Sequence, residues 1–495
     1  MDLDPAVCRQ ALLSRDARFD GRFFVGVKTT GIYCRPICPA RPPKAENCVF
    51  FPSAAAAQQA GFRPCLRCRP ETAPELGAWR GTSNTVSRAL TLIDAGALDT
   101  QGVDALADRL GIGGRQLRRL FMRHLGAAPL VVAQTRRVLL AKQLIHETDL
   151  SMAEVAHASG YGSVRRFNEI FRTMFGRPPA SLRHAPAAHN AGDAPITLSL
   201  SYRPPYDWAS MLAFLAARAI PGVEVVADDV YHRTIELDGA VGMIAVAHQA
   251  ERNRLRVKIR FPRVAALPTI IARLRRMFDL GADPAVIGAV LSHDPVLAPL
   301  VAARPGLRVP GAWDAFELGV RAIAGQQITV GAATKLTGRI VQQYGSLLAD
   351  AANCPGLTHS FPPPSVLAGA SLGFMPAARA ASMVGLAAAF AANPALFERG
   401  ADVDASVERL CALPGIGPWT AHYIAMRALR EPDAFPAADI GLLRAMDGGY
   451  GRPSPAALLA RAERWRPWRA YAALHLWTDG AAAVPAREAT DALAA

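Results

Sequence analysis

No apolar stretch in the 495-residue chain runs uninterrupted for the length needed to cross a bilayer, which argues against a membrane partner. A secretory start is missing too. Met1-Asp2-Leu3-Asp4-Pro5 carries acid where an export signal carries base, so a cytoplasmic location is expected. Acid is otherwise scarce: 41 Asp and Glu face 55 Lys and Arg, for a formal charge of +14. That balance disfavours basic partners and favours a polyanion such as nucleic acid. With no secretion signal, the eight cysteines, four of them closely grouped, point to metal binding rather than a disulfide framework. What is plentiful is apolar content, 51%, enough for several cores. The length suggests about three domains on the usual size prior.

The most informative stretch is Leu413-Pro414-Gly415-Ile416-Gly417-Pro418-Trp419, followed by Asp439 in Ala437-Ala438-Asp439-Ile440-Gly441. Asp404 to Cys411 reads as a short helix, Leu413 to Pro418 as a tight hairpin needing glycine torsions, and Thr420 to Leu429 as a second helix. In such a helix-hairpin-helix the amides of Gly415 and Gly417 point out toward a DNA phosphate, helped by the positive end of the helix opening at Trp419. Taken alone, Asp439 reads as an ordinary N-cap before the apolar run Ile440-Gly441-Leu442-Leu443.

Near the N-terminus, Cys34-Arg35-Pro36-Ile37-Cys38 and Cys65-Leu66-Arg67-Cys68 form a C-x3-C and a C-x2-C knuckle, the pattern of a four-thiolate structural Zn2+ site. Cys8, Cys48, Cys354 and Cys411 have no metal-like partners in sequence and read as ordinary thiols. Further on, Leu106-Ala107, Gly111, Phe121, Gly126 and Pro129 are answered about 50 residues later by Val155-Ala156, Gly160, Phe171, Gly176 and Pro179. Each copy holds a helix, a glycine turn and an Arg-rich second helix: Arg115, Arg118, Arg119 and Arg123 in one, Arg165, Arg166 and Arg172 in the other. That is helix-turn-helix logic, with a solvated basic bundle as the bland alternative. A segment without apolar period, 185–195, reads as a linker. Beyond it Ile196 to Leu200, Arg233 to Leu237 and Arg254 to Phe261 read as strands and Trp208 to Ala219 as a helix. From about Pro284 the chain turns helical, with Phe361-Pro362-Pro363-Pro364 as an inter-helix loop.

These motifs carry three resemblances. Lys28 to Pro36 and Gly61 to Cys65 are similar to the N-terminal domain of Ada, over residues 1–78; residues 79–184 resemble the AraC-type DNA-binding domain. The hairpin with Asp439 resembles the helix-hairpin-helix DNA glycosylase superfamily, specifically the AlkA type, 3-methyladenine DNA glycosylase II, over about 196–485. That likeness also rests on Arg321-Ala322-Ile323-Ala324-Gly325-Gln326-Gln327, Trp419-Thr420-Ala421-His422-Tyr423, Ala462 to Arg469 and His475-Leu476-Trp477. The implied fold class is multidomain: a small zinc-bound α/β domain, an all-α double helix-turn-helix, an α+β AlkA N-terminal subdomain over 196–290, and an all-α glycosylase domain over 291–485.

The Ada likeness implies Cys34 as acceptor of a methyl group from a DNA methylphosphotriester, with Cys38, Cys65 and Cys68 as the remaining ligands of one Zn2+ and Lys28, Arg35 and Arg63 touching DNA. The AlkA likeness implies monofunctional excision of alkylated purines with Asp439 as the acid group, an aromatic pocket from Trp419, Tyr423 and Trp477, and DNA contacts from Gln326 and Gln327. In this family a leucine wedge can follow Gly-Gln; here Gln327 stands there, which puts substrate breadth in question. There is no Pro-Cys-His-Arg motif of an O6-alkylguanine acceptor, no four-cysteine cluster after Asp439, and no Schiff-base lysine beside the hairpin, where Trp419 stands. The expected partners are alkylated duplex DNA, promoter or operator DNA and RNA polymerase, and a monomer is expected. The competing class is a transcription activator whose C-terminal half is a catalytically silent DNA clamp, which would need the hairpin but no acid.

Overall fold

A computed structural model describes residues 4–16, 19–73, 84–94, 96–183, 195–348, 356–397, 403–447 and 451–482. All but the last residue of the 185–195 linker lies outside the described residues. Two compact units result: Met1–Pro204 with Gln249–Arg275 and Leu280–Ala282, and Pro205–His248 with Arg276–Asp279 and Asp283–Ala495.

The first unit opens with helix Pro5–Ser14, capped by Asp4, whose carboxylate accepts from the Ala6 amide. Its buried Cys8, Ala11 and Leu12 pack on Phe23 and, in the four-stranded sheet that begins just after it, on Val25. In that sheet the order is Cys48–Phe51, Phe24–Val27, Ile32–Cys34, Arg63–Pro64, antiparallel except for the last pair, which sets Ile32 beside Arg63. The parallel end brings the loop carrying Cys65 and Cys68 back beside Cys34.

The tandem repeat is realised nearly residue for residue. Helices Val103–Arg109 and Gly114–Leu125 form the first helix pair, Met152–Ala158 and Val164–Phe175 the second. The turn glycines Gly111 and Gly160 have φ +71° and +84°, and both second helices end on left-handed glycines, Gly126 and Gly176, each at φ +68°. This is the torsion only glycine adopts without strain, so the equivalence seen in sequence is a backbone requirement. Phe121 and Phe171 are fully buried while the arginines face out. The 19-residue helix Pro129–Glu147 joins the pairs. Its buried Lys142 ammonium donates to the Cys65 carbonyl at 2.9 Å and to Glu71 at 2.6 Å, docking it on the cysteine-bearing loop. Strands Ile196–Ser201 and Arg254–Arg260 pair antiparallel in this same unit.

In the second unit, helix Trp208–Ala216 precedes an antiparallel meander of strands Glu224–Ala227, Val230–Leu237 and Ala240–Gln249. The sequence reading missed its first and third strands and began the middle one late. The overlooked signal is a pair of two-residue turns: Asp228-Asp229 at φ +51° and +58°, and Asp238-Gly239 at +51° and +76°, the torsions that suit tight hairpins. The helical region begins at Leu267–Met277, earlier than Pro284. Pro364 does not stay in the loop; it opens the one-turn helix Pro364–Leu367. A buried ion network ties helix Ala315–Ala324 to the meander: Glu317 accepts from Arg233 at 2.7 Å and from Arg321 at 2.6 Å, and Glu224 accepts from Arg321 and from the Tyr231 hydroxyl. Burial alone would raise the Glu224 carboxyl, but Arg321 and Arg233 hold it down at about 2. Within the described residues no helix is long and apolar enough to cross a membrane.

Candidate active site and metal centre

Asp439 is the N-cap of helix Ile440–Ala445, as the local sequence suggests, and it is more than that. Its Oδ1 accepts from the Leu442 amide at 2.9 Å and from the Trp477 indole at 2.8 Å, while Oδ2 accepts from the Trp419 indole at 2.7 Å. Two tryptophans from helices Pro418–Arg427 and Arg469–Ala482 thus aim their only polar atoms at one carboxylate that is 3% exposed. Gly441 is small for this reason, since a Cβ there would stand 3.0 Å from Oδ1 and 3.4 Å from the Trp477 ring.

The carboxylate lines a cleft of about 1040 Å3, counting its open mouth. Trp419 and Tyr423, one helical turn apart, stack in parallel with centroids 5.4 Å apart and planes within 8°. Trp477 is half-buried and lines the cleft as well. Phe214 and Arg218 also line the cleft, Arg218 beside the Tyr423 hydroxyl, and sequence reasoning missed them because nothing local marks residues about 200 positions from the hairpin. Arg427 donates to the Tyr423 hydroxyl at 2.6 Å. Burial would raise that phenol, yet Arg427 and Arg218 beside it bring it below its ordinary value.

The hairpin stands between helices Val403–Cys411 and Pro418–Arg427. Its two glycines differ. Gly415 has φ +81°, and a Cβ would collide with Ser382 at 2.2 Å, so structure alone demands it. Gly417 sits at φ −86° as the N-cap, with nothing within 4 Å of a Cβ, so the expected glycine torsion is absent. Its bareness leaves open space at a helix N-terminus, where an anion can approach the backbone. Gln326 does not reach outward: its amide donates to the Gly415 carbonyl at 2.8 Å and to Thr420 at 3.2 Å, bracing the hairpin from behind. Gln327 is exposed and left-handed, φ +59°, a torsion costly for a residue with a Cβ.

In the first unit Cys34, Cys38, Cys65 and Cys68 place their sulfurs within 4.8 Å of one another. That fits a tetrahedral four-thiolate Zn2+ site. The four are not equivalent. Cys38, Cys65 and Cys68 are buried and Cys34 is half-exposed. The Arg35 amide donates to the Cys68 sulfur at 3.3 Å, the Arg67 amide to Cys65 at 3.4 Å, and Cys38 receives the Ala40 amide. Among the described residues no backbone amide donates to the Cys34 sulfur.

Arg35 requires a correction. It is buried, paired with Asp20, and donates to the Cys68 carbonyl at 3.0 Å and to Thr72 at 2.6 Å, so it holds the metal loop and cannot reach a phosphate. The deciding partner, Asp20, lies 15 residues upstream and gave no local signal. Lys28 is exposed and Arg63 half-exposed. Arg115, Arg118, Arg165 and Arg166 are all exposed and, among the described residues, form surface pairs only from Arg118 to Asp104 and from Arg165 to Glu169.

Three family profiles match the chain: the metal binding domain of Ada over 7–71, a helix-turn-helix domain over 106–185, and the AlkA N-terminal domain over 197–314. A Mycobacterium tuberculosis protein described as a probable bifunctional transcriptional activator/DNA repair enzyme AlkA is 42% identical over 478 residues, 95% of each chain. Escherichia coli DNA-3-methyladenine glycosylase 2 is 38% identical over 291 residues, 57% of this chain and 97% of its own. The solved 3-methyladenine DNA-glycosylase of Archaeoglobus fulgidus, 23% identical, shares the fold of the C-terminal part, with TM-score 0.50 over 57% of this chain and 97% of that one. The chain belongs to the family of bifunctional transcriptional activator/DNA repair proteins that join an Ada-type metal-binding domain and a helix-turn-helix domain to an AlkA-type glycosylase.

Proposed function

We propose that this protein excises alkylated bases from DNA with Asp439 as its acid group, and accepts a methyl group from a DNA methylphosphotriester on Cys34 to switch its binding to operator DNA. The observation that carries the first half is a carboxylate held by two indoles in a cleft walled with aromatic rings. A silent clamp has no use for that arrangement. The target nucleotide must leave the duplex to be reached. An N3- or N7-alkylated purine is cationic, and the parallel Trp419 and Tyr423 rings present electron-rich faces to it. When the bond from C1′ to the base nitrogen breaks, its electron pair goes to the base and cancels that charge, leaving an oxocarbenium ion at C1′. Asp439 stabilises the cation and orients the water that adds to C1′; the proton released from that water passes to solvent through the carboxylate. A free base and an abasic site result. Gln327 fills the gap in the stack, and the amides of Gly415 and Gly417 hold a phosphate.

At the other site Cys34, Cys38, Cys65 and Cys68 would hold one Zn2+, which would keep their sulfurs deprotonated at neutral pH. Cys34 attacks the methyl carbon; a carbon–sulfur bond forms, the carbon–oxygen bond breaks, and its electron pair stays on the phosphate as a diester anion. Exposure and the lack of an amide donor leave Cys34 the freest of the four to attack. The site becomes one unit less negative, so repulsion from DNA falls and affinity rises. Exposed Arg115, Arg118, Arg165 and Arg166 face the operator, and Lys28 and Arg63 flank the acceptor. The functional modules are 1–78, 79–184, 196–290 and 291–485, acting in the cytoplasm as a monomer and, at promoters, with RNA polymerase. Incubation with DNA carrying 3-methyladenine and methylphosphotriesters tests both halves. Chromatography should find free 3-methyladenine and mass spectrometry one added methyl on Cys34; no release above background, or an unmodified Cys34, removes the corresponding half.

A further inference from the structure

Strand Arg254–Arg260 alternates strictly: Leu255, Val257 and Ile259 are buried, while Arg254, Arg256, Lys258 and Arg260 lie on the other face. Its neighbour Ile196–Ser201 adds hydroxyls there, Thr197 opposite Lys258 and Ser199 opposite Arg256. Like charges repeated at every second position of a strand repel one another, so folding does not favour this pattern. Arg254 has Gln249 as a partner at 2.7 Å and Glu147 nearby. Among the described residues Arg256, Lys258 and Arg260 meet no carboxylate.

The strand pair is fastened to the helix-turn-helix unit. Just past Arg260, the one-turn helix Val264–Ala266 packs on helix Met152–Ala158, the first helix of the second pair. The edge of the neighbouring strand is fastened at Ser199, whose amide donates to Glu147 at 2.9 Å and whose carbonyl accepts from Gln143 at 2.8 Å; both partners lie on the long helix joining the two pairs. Cations at alternate strand positions stand about 6.7 Å apart, so four of them span about 20 Å. One DNA strand offers a charge every 3.4 Å of axis, and hydroxyls and cations together are the usual phosphate ligands.

We propose that this sheet face is a further DNA-binding surface: it grips the phosphate backbone of duplex DNA beyond the bases read by helix Val164–Phe175, lengthening the footprint on the side of the second helix-turn-helix pair. The contact is sequence-independent, because no base edge is involved. It rests on the operator reading only for where the duplex lies.

The test uses the full zinc-loaded chain with R256T, K258T and R260T together, threonine being at home in a strand. Duplex affinity is measured by fluorescence anisotropy across a salt series. Each lost phosphate contact lowers the log–log salt slope by about 0.9, so the expected fall is about 2 to 3. Affinity at low salt should drop at least tenfold for operator and unrelated duplexes alike. R256K with R260K should restore the slope, separating charge from fold. Hydroxyl-radical footprinting should lose protection only beyond the second pair. An unchanged slope and footprint overturn the inference. A changed slope without any operator footprint in the parent protein sustains this surface and instead sinks the operator reading.

Discussion

At Cys34 the protein leaves a sulfur half-exposed with no backbone amide on it, while at Asp439 it buries a carboxylate under three N–H donors. Under the proposed function, the difference follows from what each group does. Cys34 is consumed in one transfer, and every hydrogen bond to its sulfur would draw charge from the attacking pair, so such bonds sit on the three ligands that must not react. Asp439 forms no lasting bond. It must stand in one place while charge develops at C1′, and fixed dipoles around it avoid reorganisation at that moment. On that reading a reagent is left loose and a catalyst is clamped.

That contrast can be broken at either end. The largest effect belongs to Cys34→Ala, which should abolish methyl uptake outright by mass spectrometry while base release from alkylated DNA continues. Uptake at Cys38, Cys65 or Cys68 in that variant would show the four sulfurs to be equivalent. Trp477→Phe keeps a ring on the cleft wall but removes one of the three donors to Asp439. A hydrogen bond to a charged group is worth about 1.5–3 kcal/mol, so single-turnover excision should slow by about 10- to 100-fold. An unaltered rate would mean the clamp is ornamental.

The two hairpin glycines sharpen the point further. Gly415→Ala should lower the melting temperature, since φ +81° and Ser382 both oppose a Cβ, at a cost of at least about 1–2 kcal/mol. Gly417→Ala should leave melting nearly unchanged and weaken duplex binding instead. The smallest contrast is in acid. Glu224 has its carboxyl held at about 2, below its unfolded value, so its contribution to stability is complete above about pH 4.3 and is lost as pH falls toward 2. Zinc release takes up protons on the thiolates, and free thiols hold their protons up to about pH 8.5, far above the range where Glu224 is protonated. On acidification, zinc release followed by a colorimetric chelator should therefore precede loss of the second unit's helical signal.

Much of this was legible because it rests on backbone demands written locally. Gly111 with Gly160, and Gly126 with Gly176, mark the repeat through torsions a sequence can announce. The cysteine quartet declares itself by spacing, whereas Asp439 reads locally as an N-cap and is singled out only by the resemblance the hairpin carries. The meander is only partly legible, although its turn at Asp238-Gly239 and the apolar run after it are local signals. What could not be read is what distant partners decide. Arg35 beside Cys34 invites a DNA contact until Asp20 takes its guanidinium inward. Gln326 lies next to Gln327, yet one braces Gly415 and the other projects into solvent. Phe214, in helix Trp208–Ala216, and Arg218, just past its end, line the cleft about 200 residues from the hairpin.

The account stands most directly on the excision rate of Asp439→Asn, measured in a single turnover on duplex DNA carrying one 3-methyladenine, with folding checked by melting temperature. The amide keeps the size and can still accept from an indole, but it carries no charge to set against the oxocarbenium ion. The rate should fall by a factor on the order of 10² to 10³, the scale seen when one preorganised electrostatic group is removed. A folded variant that releases the base as fast as the parent protein would contradict it.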